Sequence, residues 1–279
     1  MPESLLRLSV IVPARDAEAT IADCLRALTH QQAFTLGCDY EIILVDDGSR
    51  DNTAKIADEI GVRVIHQANA GPAAARNTGV EHALGELVCF TDADCIPTPD
   101  WLSQMVAPFE NPEVVGVKGA YLCRKKQPVP RFVQQEFEYK YQALAKLPKI
   151  DFIDTYSAAY RKNIFLENGG FDPRFPVPSV EDQEFSFRLA RKGYHLAFQP
   201  AAKVHHSHDL TLWQYIHRKW GIGYWKAFML RWLPEKTLSD SYTPASQRAQ
   251  IFLTAILIVA LGVSIFYTPL LWLALAAFL

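Results

Sequence analysis

The chain has 279 residues, with 28 Lys and Arg against 30 Asp and Glu and a net charge of −2. This length allows one large domain or two modest ones, and the absence of a basic excess argues against a nucleic-acid-binding protein. The five cysteines are an odd number without a Cys-x-x-Cys pair, which favours free thiols in a reducing compartment over a disulfide framework or a zinc site.

The first 91 residues alternate short apolar runs with segments of helical spacing. Strands that alternate with helices of ten or more residues indicate a mostly parallel sheet with helices on both faces. We therefore predict an α/β fold. The predicted strands are 8–12, 41–45, 62–66 and 86–91, and the predicted helices are 17–28, 52–60 and 71–84.

Three of these strands are followed by polar groups, at 13–16, at Asp46 and Asp47, and at Asp92 and Asp94. In an open α/β sheet, ligands collect outside the carboxyl ends of the strands, so these groups are expected along one edge. Two carboxylates separated by one residue can hold a hard divalent cation, which bridges readily to phosphates. A polar turn or a helix N-cap after the strand explains Asp92 and Asp94 equally well.

The second half of the chain predicts helices at 101–110, 131–147 and 179–192 and a strand at 114–119. Glu181 and Asp182 lie at the start of the last helix, where carboxylates suit the positive end of the helix dipole. Farther on, His205, His206 and His208 are three histidines within four residues. They indicate either a solvated loop or a metal ligand, since neutral imidazole commonly binds metals.

From Thr211 the sequence mixes tryptophan and tyrosine with lysine and arginine, which is typical of a segment lying in a bilayer interface. Packing against the preceding domain is the alternative. After a polar linker at 234–247, residues 249–266 carry no charge and reach the short end of a membrane-spanning helix.

A break at 267–269 separates this run from a second apolar run at 270–279. We expect either one long kinked span or a second span that is cut short, and hence a truncated sequence. The predicted division is a catalytic domain at 1–208, an interfacial segment and linker at 209–248, and a transmembrane segment at 249–279.

Six segments in order resemble the family 2 glycosyltransferases, which have the GT-A fold, a Rossmann-like sheet for nucleotide-diphospho-sugars. One departure is Asp16, which stands where many members have Asn. The matching segments are SVIVPARDAEATI, VDDGSRDNT, GPAAARNTGV, FTDADC, GGFDPRF followed by VEDQEFSFRLARKGY, and the histidine cluster ending at His208.

This resemblance implies that a nucleotide-sugar donor contacts the strand ends, with uracil the usual base and a UDP-sugar therefore favoured. Arg76 would contact the base or the phosphates. The positions that match the family's donor site are Pro13, Ala14, Arg15, Asp16, Asp46, Asp47, Arg76, Asp92 and Ala93.

The resemblance also implies a divalent metal, Mn²⁺ or Mg²⁺, that neutralises the diphosphate leaving group. Asp94 would bind this metal, and Asp92 would face the ribose or the metal. A histidine would complete its ligands, with His206 and His208 ranked equally and His205 behind them. A histidine ligand favours Mn²⁺, because Mg²⁺ prefers oxygen.

Glu181 and Asp182 resemble the family's catalytic acidic pair, in which a carboxylate deprotonates the acceptor hydroxyl. We assign this base to Asp182 in preference to Glu181. A single in-line displacement predicts an inverting transferase.

The expected protein is membrane-anchored, with its catalytic domain facing the cytosol and Arg248 just before the span, in agreement with the positive-inside rule. The acceptor would be a membrane lipid or a glycan, and no nucleic-acid partner is expected. A processive polysaccharide synthase is the main alternative, although 217–220 lacks the full Gln-x-x-Arg-Trp motif. A nucleotidyltransferase would need a glycine-rich loop, absent from 13–20, and a non-catalytic binder remains open.

Overall fold

The computed structural model describes residues 7–264, except 209, 238–239, 242 and 244. Its strands are β1 Leu8–Ala14, β2 Tyr40–Asp46, β3 Arg63–His66, β4 Leu87–Phe90, β5 Cys95–Pro97, β6 Val114–Leu122, β7 Ala158–Arg161 and β8 His195–His206. Its α-helices are α1 Ile21–Thr29, α2 Thr53–Ile60, α3 Pro72–His82, α4 Trp101–Val106, α5 Pro128–Leu144, α6 Lys162–Glu167, α7 Glu181–Arg191, α8 Leu212–Met229 and α9 Ala245–Ser264. Short 3₁₀ turns cover Ala107–Glu110, Thr155–Ser157 and Pro234–Thr237.

The strands form one sheet in the order β3-β2-β1-β4-β7-β6-β8-β5. The first four are parallel neighbours, as predicted from the alternation of strands and helices. The other side is mixed, because β7 runs antiparallel to both β4 and β6 while β8 is parallel to β6. The predicted α/β fold with a mostly parallel sheet flanked by helices is confirmed.

Helices cover both faces of the sheet, which explains the continuous apolar runs of the central strands. In β1, Val10 and Val12 join the core that contains α1 and α4. Ile11, between them, joins the opposite core with α3 and α7. All three side chains are fully buried, so both faces of β1 are covered.

Several predicted boundaries are corrected by the structure. The histidine cluster does not begin in a loop, because His205 and His206 pair with β5 as the last residues of the long strand β8. The helix predicted at 101–110 is a short α-helix followed by a 3₁₀ turn. The helix predicted at 131–147 is α5, which begins at Pro128 because proline suits the first turn of a helix.

The aromatic segment after Thr211 packs against the domain through one face only. Met229 and Leu233 are buried against Phe175 and Phe187, so the predicted packing alternative holds for this face. Trp213 and Trp220 on another face are 75% and 78% exposed.

We find no helix among the described residues with the length and apolar character needed to cross a membrane. The described part of the predicted transmembrane segment 249–279 belongs to α9, which ends at Ser264. This helix does not meet the criteria for a membrane span, so the prediction is not supported for this part. The rest of that prediction, 265–279, lies outside the described residues.

Candidate active site

A cleft of about 810 Å³ lies at the carboxyl ends of the central strands. Five carboxylates line it: Asp92 and Asp94 after β4, Asp154 before β7, and Glu181 and Asp182 at the start of α7. His206 at the end of β8 lines the same cleft. His208, the other histidine predicted to bind the metal, lines the cleft as well. The fold thus brings together the acidic residues and both histidines that the sequence predicts as metal-binding or catalytic.

A smaller cavity of about 230 Å³ adjoins the cleft and shares Arg76 and Asp92 with it. Of the predicted donor-binding positions, six line this cavity and three do not. Its predicted residues are Pro13, Ala14, Arg15, Asp47, Arg76 and Asp92. Those not among its lining residues are Asp16, Asp46 and Ala93.

Asp47 holds one wall of the smaller cavity in place. Its buried carboxylate accepts hydrogen bonds from the backbone amides of Ala70 and Gly71, at 2.8 and 2.9 Å, and from the side chains of Gln67 and Asn69, at 2.7 and 2.8 Å. Four donors use about all the lone-pair positions of a carboxylate. Asp47 therefore shapes the 67–71 loop and has little acceptor capacity left for a base.

Asp46 and Asp16 have structural roles beside the cavity. Asp46 accepts a hydrogen bond from the amide of Ser49 and contacts His66. Asp16 has a φ of 50°, in the left-handed region that Asp and Asn tolerate better than most residues. Its carboxylate accepts a hydrogen bond from the amide of Arg50 at 2.8 Å and so ties the loop after β1 to the loop after β2.

Arg76 connects the two acidic pairs. Its buried guanidinium donates to Asp92 Oδ1 at 2.8 Å and to Glu181 Oε1 at 2.9 Å. The second oxygen of Glu181 accepts a hydrogen bond from the amide of Ser179. Both oxygens of Glu181 are therefore engaged within the protein, and Arg76 acts as a link between the end of β4 and the start of α7.

Asp182 has a different environment from its neighbour Glu181. Burial, together with the charge of Glu181, raises the pKa of Asp182 to about 7, although Arg76 partly opposes this. The amides of Thr155 and Gln183 donate to its two oxygens at 3.3 and 2.7 Å. A carboxylate with a pKa near neutral that lines a cleft is suited to accept a proton from a hydroxyl.

The described part of the chain contains one cluster of His, Cys, Asp and Glu that could hold a metal: Asp92, Asp94 and Cys95, within 4.8 Å of one another. Burial and the two carboxylates raise the pKa of the Cys95 thiol well above its ordinary value, so it stays protonated and is a poor ligand. His206 Nε2 lies 3.2 Å from Asp94 Oδ2 and offers a nitrogen instead. Two carboxylates and an imidazole suit a cation such as Mn²⁺, which accepts both oxygen and nitrogen. Ala93, between the acids, is buried in the core.

The sequence did not lead us to an ion pair beside the cleft, between Lys118 and Asp154. Lys118 is fully buried in β6 and forms an ion pair with Asp154, which lines the cleft. Its ammonium group also lies 5.1 Å from the ring centre of Phe152 and 5.2 Å from that of Tyr156. The available signal was a single lysine inside an otherwise apolar strand, because such a charge must find a partner.

An α/β sheet with acidic groups and a cavity at its carboxyl edge has the arrangement typical of α/β proteins that bind ligands at this edge. The model of the family "Glycosyl transferase family 2" matches residues 9–169, and the chain belongs to this family.

Relatives found by sequence comparison carry glycosyltransferase names. The chain is 29% identical over 188 residues to the pre-mycofactocin glycosyltransferase of Mycobacterium tuberculosis, covering 64% of this chain and 40% of that protein. It is 28% identical over 216 residues to the glycosyltransferase AglE of Haloferax volcanii, covering 71% of this chain and 66% of that protein. The chain thus spans 40% and 66% of the length of these two relatives.

Solved structures share the fold at low sequence identity. The mannosyltransferase PcManGT from Pyrobaculum calidifontis, in complex with GDP-Man and Mn²⁺, has a TM-score of 0.62 at 21% identity, covering 97% of this chain and 84% of that one. S. aureus TarS 1-349, in complex with UDP-GlcNAc, has a TM-score of 0.57 at 22% identity, covering 73% and 59%. These structures support the fold assignment.

Proposed function

We propose that this protein is an inverting glycosyltransferase that moves a sugar from a nucleoside diphosphate sugar to a hydroxyl group of a lipid or glycan acceptor. One observation carries the proposal: Asp182, a half-buried carboxylate with a pKa near neutral, lines the same cleft as Asp92, Asp94 and His206. Sugar transfer by direct displacement needs two parts in one cleft: a base for the acceptor hydroxyl and a site for the leaving diphosphate.

The donor nucleoside is assigned to the smaller cavity, between the end of β1 and the 67–71 loop. Asp92 and Arg76 line both cavities, so a diphosphate would lead from the nucleoside toward Asp94. Two structural relatives are complexes with UDP-GlcNAc and GDP-Man, which supports a nucleoside diphosphate sugar. A UDP-sugar is favoured, because uracil is the usual base in the family that the sequence resembles.

Asp94, Asp92 and His206 are the residues that would hold Mn²⁺ or Mg²⁺. When bound, the metal supplies positive charge to the departing diphosphate.

Asp182 accepts the proton of the acceptor hydroxyl while that oxygen bonds to the anomeric carbon. The bond from this carbon to the diphosphate oxygen breaks, and its electron pair leaves with the diphosphate. Attack from the side opposite the leaving group inverts the anomeric centre.

The acceptor is assigned to the part of the cleft next to α8, and α8 is assigned to a membrane surface on the cytosolic side. Gln214, His217 and Trp225 of α8 line the cleft, whereas Trp213 and Trp220 are exposed. A helix with exposed aromatic residues beside lysine and arginine suits the headgroup region of a bilayer. An acceptor with a lipid anchor could then reach Asp182 from the membrane.

The test combines donor binding with product analysis. Calorimetry with UDP and GDP, with and without Mn²⁺, is expected to show metal-dependent UDP binding that Asp94→Ala abolishes. NMR of the product is expected to show an anomeric configuration opposite to that of the donor. Retention of the donor configuration would contradict the inverting mechanism, and GDP binding in place of UDP would contradict the donor assignment.

A further inference from the structure

Four side chains form a hydrogen-bonded series that ends at the candidate metal site. Gln134 Oε1 lies 3.0 Å from His208 Nε2, and His208 Nδ1 lies 3.2 Å from His206 Nδ1. His206 Nε2 then lies 3.2 Å from Asp94 Oδ2. The series joins α5, the end of β8 and the turn after β4, and no pattern in the sequence connects Gln134 to a metal site.

The hydrogen-bond donors and acceptors of this series can be assigned by starting from Gln134, the end farthest from Asp94. The amide nitrogen of Gln134 donates to the carbonyl of Tyr121 at 3.3 Å and to Glu138 at 3.1 Å, which fixes its oxygen toward His208. An amide oxygen only accepts, so His208 Nε2 carries a proton. Neutral His208 then accepts at Nδ1, and the proton between the two rings belongs to His206.

This assignment determines what His206 presents to Asp94. Neutral His206, protonated at Nδ1, has its lone pair on Nε2, which faces a carboxylate oxygen. Two lone pairs 3.2 Å apart repel unless a cation lies between them. A proton can fill this role, and so can a divalent metal bound by both atoms.

Aromatic packing holds both rings in this arrangement. The ring of Tyr121 stacks on His206 at 4.9 Å and meets His208 edge to face at 5.4 Å. Phe137 stacks on the other imidazole, that of His208, at 5.5 Å with an angle of 16° between planes. His208 is 4% exposed, so its ring is enclosed by the protein.

We propose that His208 and Gln134 are positioning residues that fix the tautomer and orientation of His206, so that its Nε2 is presented to the metal. Metal-binding histidines generally donate their second nitrogen to an acceptor, and loss of that acceptor weakens metal binding about 10- to 100-fold. Here the acceptor is a second histidine, which is itself held by Gln134. The inference rests on the proposed metal-dependent function but concerns metal affinity and not transfer.

The experiment uses the full chain and MnCl₂ as the probe. Calorimetry gives the Mn²⁺ affinity, and electron spin echo envelope modulation detects nitrogen bound directly to Mn²⁺. Wild type is expected to show one bound nitrogen, and His206→Gln is expected to lose it. His208→Phe is expected to keep the bound nitrogen but to weaken Mn²⁺ binding about 10- to 100-fold.

Conservative variants separate positioning from a general loss of structure. The oxygen of His208→Asn lies near the position of Nδ1 and can accept from His206, so this variant is expected to recover most of the affinity lost in His208→Phe. Gln134→Leu should weaken binding less than His208→Phe. Glu138→Gln is the matched control, because Tyr121 still holds the Gln134 amide and Mn²⁺ affinity should not change.

Two results would overturn the proposal. One is a bound nitrogen that persists in His206→Gln and disappears in His208→Phe, which would make His208 the ligand. The other is wild-type Mn²⁺ affinity in His208→Phe, or no Mn²⁺ binding by wild type. Sugar transfer is measured separately on the same preparations, and its absence in a wild type that binds Mn²⁺ through nitrogen would count against the proposed function alone.

Discussion

Asp182 and Glu181 are adjacent carboxylates whose surroundings separate their roles. Both line the cleft, but Glu181 is held by Arg76 and the amide of Ser179, whereas burial and the charge of Glu181 raise the pKa of Asp182. We expect Asp182→Asn to keep donor binding and to lower kcat by about 10²- to 10⁴-fold, the usual contribution of a general base. Glu181→Gln should lose less, since its role is to anchor the helix. Steady-state kinetics with calorimetry of donor binding tests this, and wild-type turnover by Asp182→Asn would remove it as the base.

The raised pKa of Asp182 also predicts the pH dependence of transfer. The base must be ionised, and its ionised form is lost as the pH falls through about 7. We expect kcat/KM to be level above this value and to fall about tenfold per pH unit below it. A profile from pH 5.5 to 9 at saturating metal measures this, and a level rate down to pH 5.5 would contradict it.

Arg76 pairs with Asp92 and Glu181, and its removal leaves the buried carboxylate of Glu181 and the half-buried carboxylate of Asp92 without this partner. Arg76→Met is expected to destabilise the fold by about 3–5 kcal/mol, the usual cost of breaking a buried ion pair. Adding Glu181→Gln to this variant should recover part of the loss, because one uncompensated charge is then removed. Urea unfolding of the single and double variants measures the coupling, and strictly additive losses would contradict a direct link.

At the scale of elements, Glu136 joins α5 to α8. Its carboxylate accepts hydrogen bonds from Lys219 at 2.6 Å and from Tyr215 at 3.2 Å, both on α8, and pairs with Lys140 on its own helix. Despite its partial burial, these lysines lower the pKa of Glu136 to about 2. The stabilisation is therefore present above the ordinary pKa of 4.5 and is lost as the pH falls toward 2.

Glu136→Gln is expected to loosen α8, which forms one wall of the cleft. Hydrogen exchange of the α8 amides should become faster, while exchange in β1 and β2 should not change. Glu59→Gln is the control, because its pair with Lys55 is more than half exposed on both sides and contributes little. Equal exchange in α8 for the two variants would show that Glu136 does not hold this helix.

Most strands that contain an apolar run were predictable. β1, β2 and β4 are buried on both faces, so their sequences signal them within one or two residues. The four-residue strand β3 was also predicted within one residue. β5 and β7 have only three and four residues, and neither contains a run of large apolar side chains. β8 contains Pro200 and ends in two histidines, so its sequence did not indicate a strand of 12 residues.

The same limit applies to the site. Asp92, Asp94, Glu181 and Asp182 were found because they form pairs beside apolar segments. Gln134 gave no signal, because its contact with His208 spans 74 residues and depends on how α5 lies over the sheet. Sequence spacing reports what lies on one element, and tertiary packing decides which elements share a cavity.

At the scale of the molecule, α8 presents different faces to the cleft and to the surroundings. Leu212, Trp213, Ile216 and Trp220 are exposed and follow the spacing of one helical face. The two tryptophans of this face suit a bilayer interface.

We expect the double variant Trp213→Ser and Trp220→Ser to bind vesicles of phosphatidylcholine and phosphatidylglycerol about tenfold more weakly than wild type, since binding scales with the apolar area inserted. Leu84→Ser is the control, because Leu84 is 62% exposed but lies at the end of α3, outside this helix face. Co-sedimentation of the full chain measures the binding. If the double variant sediments with vesicles as wild type does, α8 does not dock on the bilayer and the cleft receives its acceptor from solution. If the double variant no longer binds vesicles but still transfers sugar to a water-soluble acceptor, the exposed face of α8 serves to hold the membrane next to the cleft that contains Asp182.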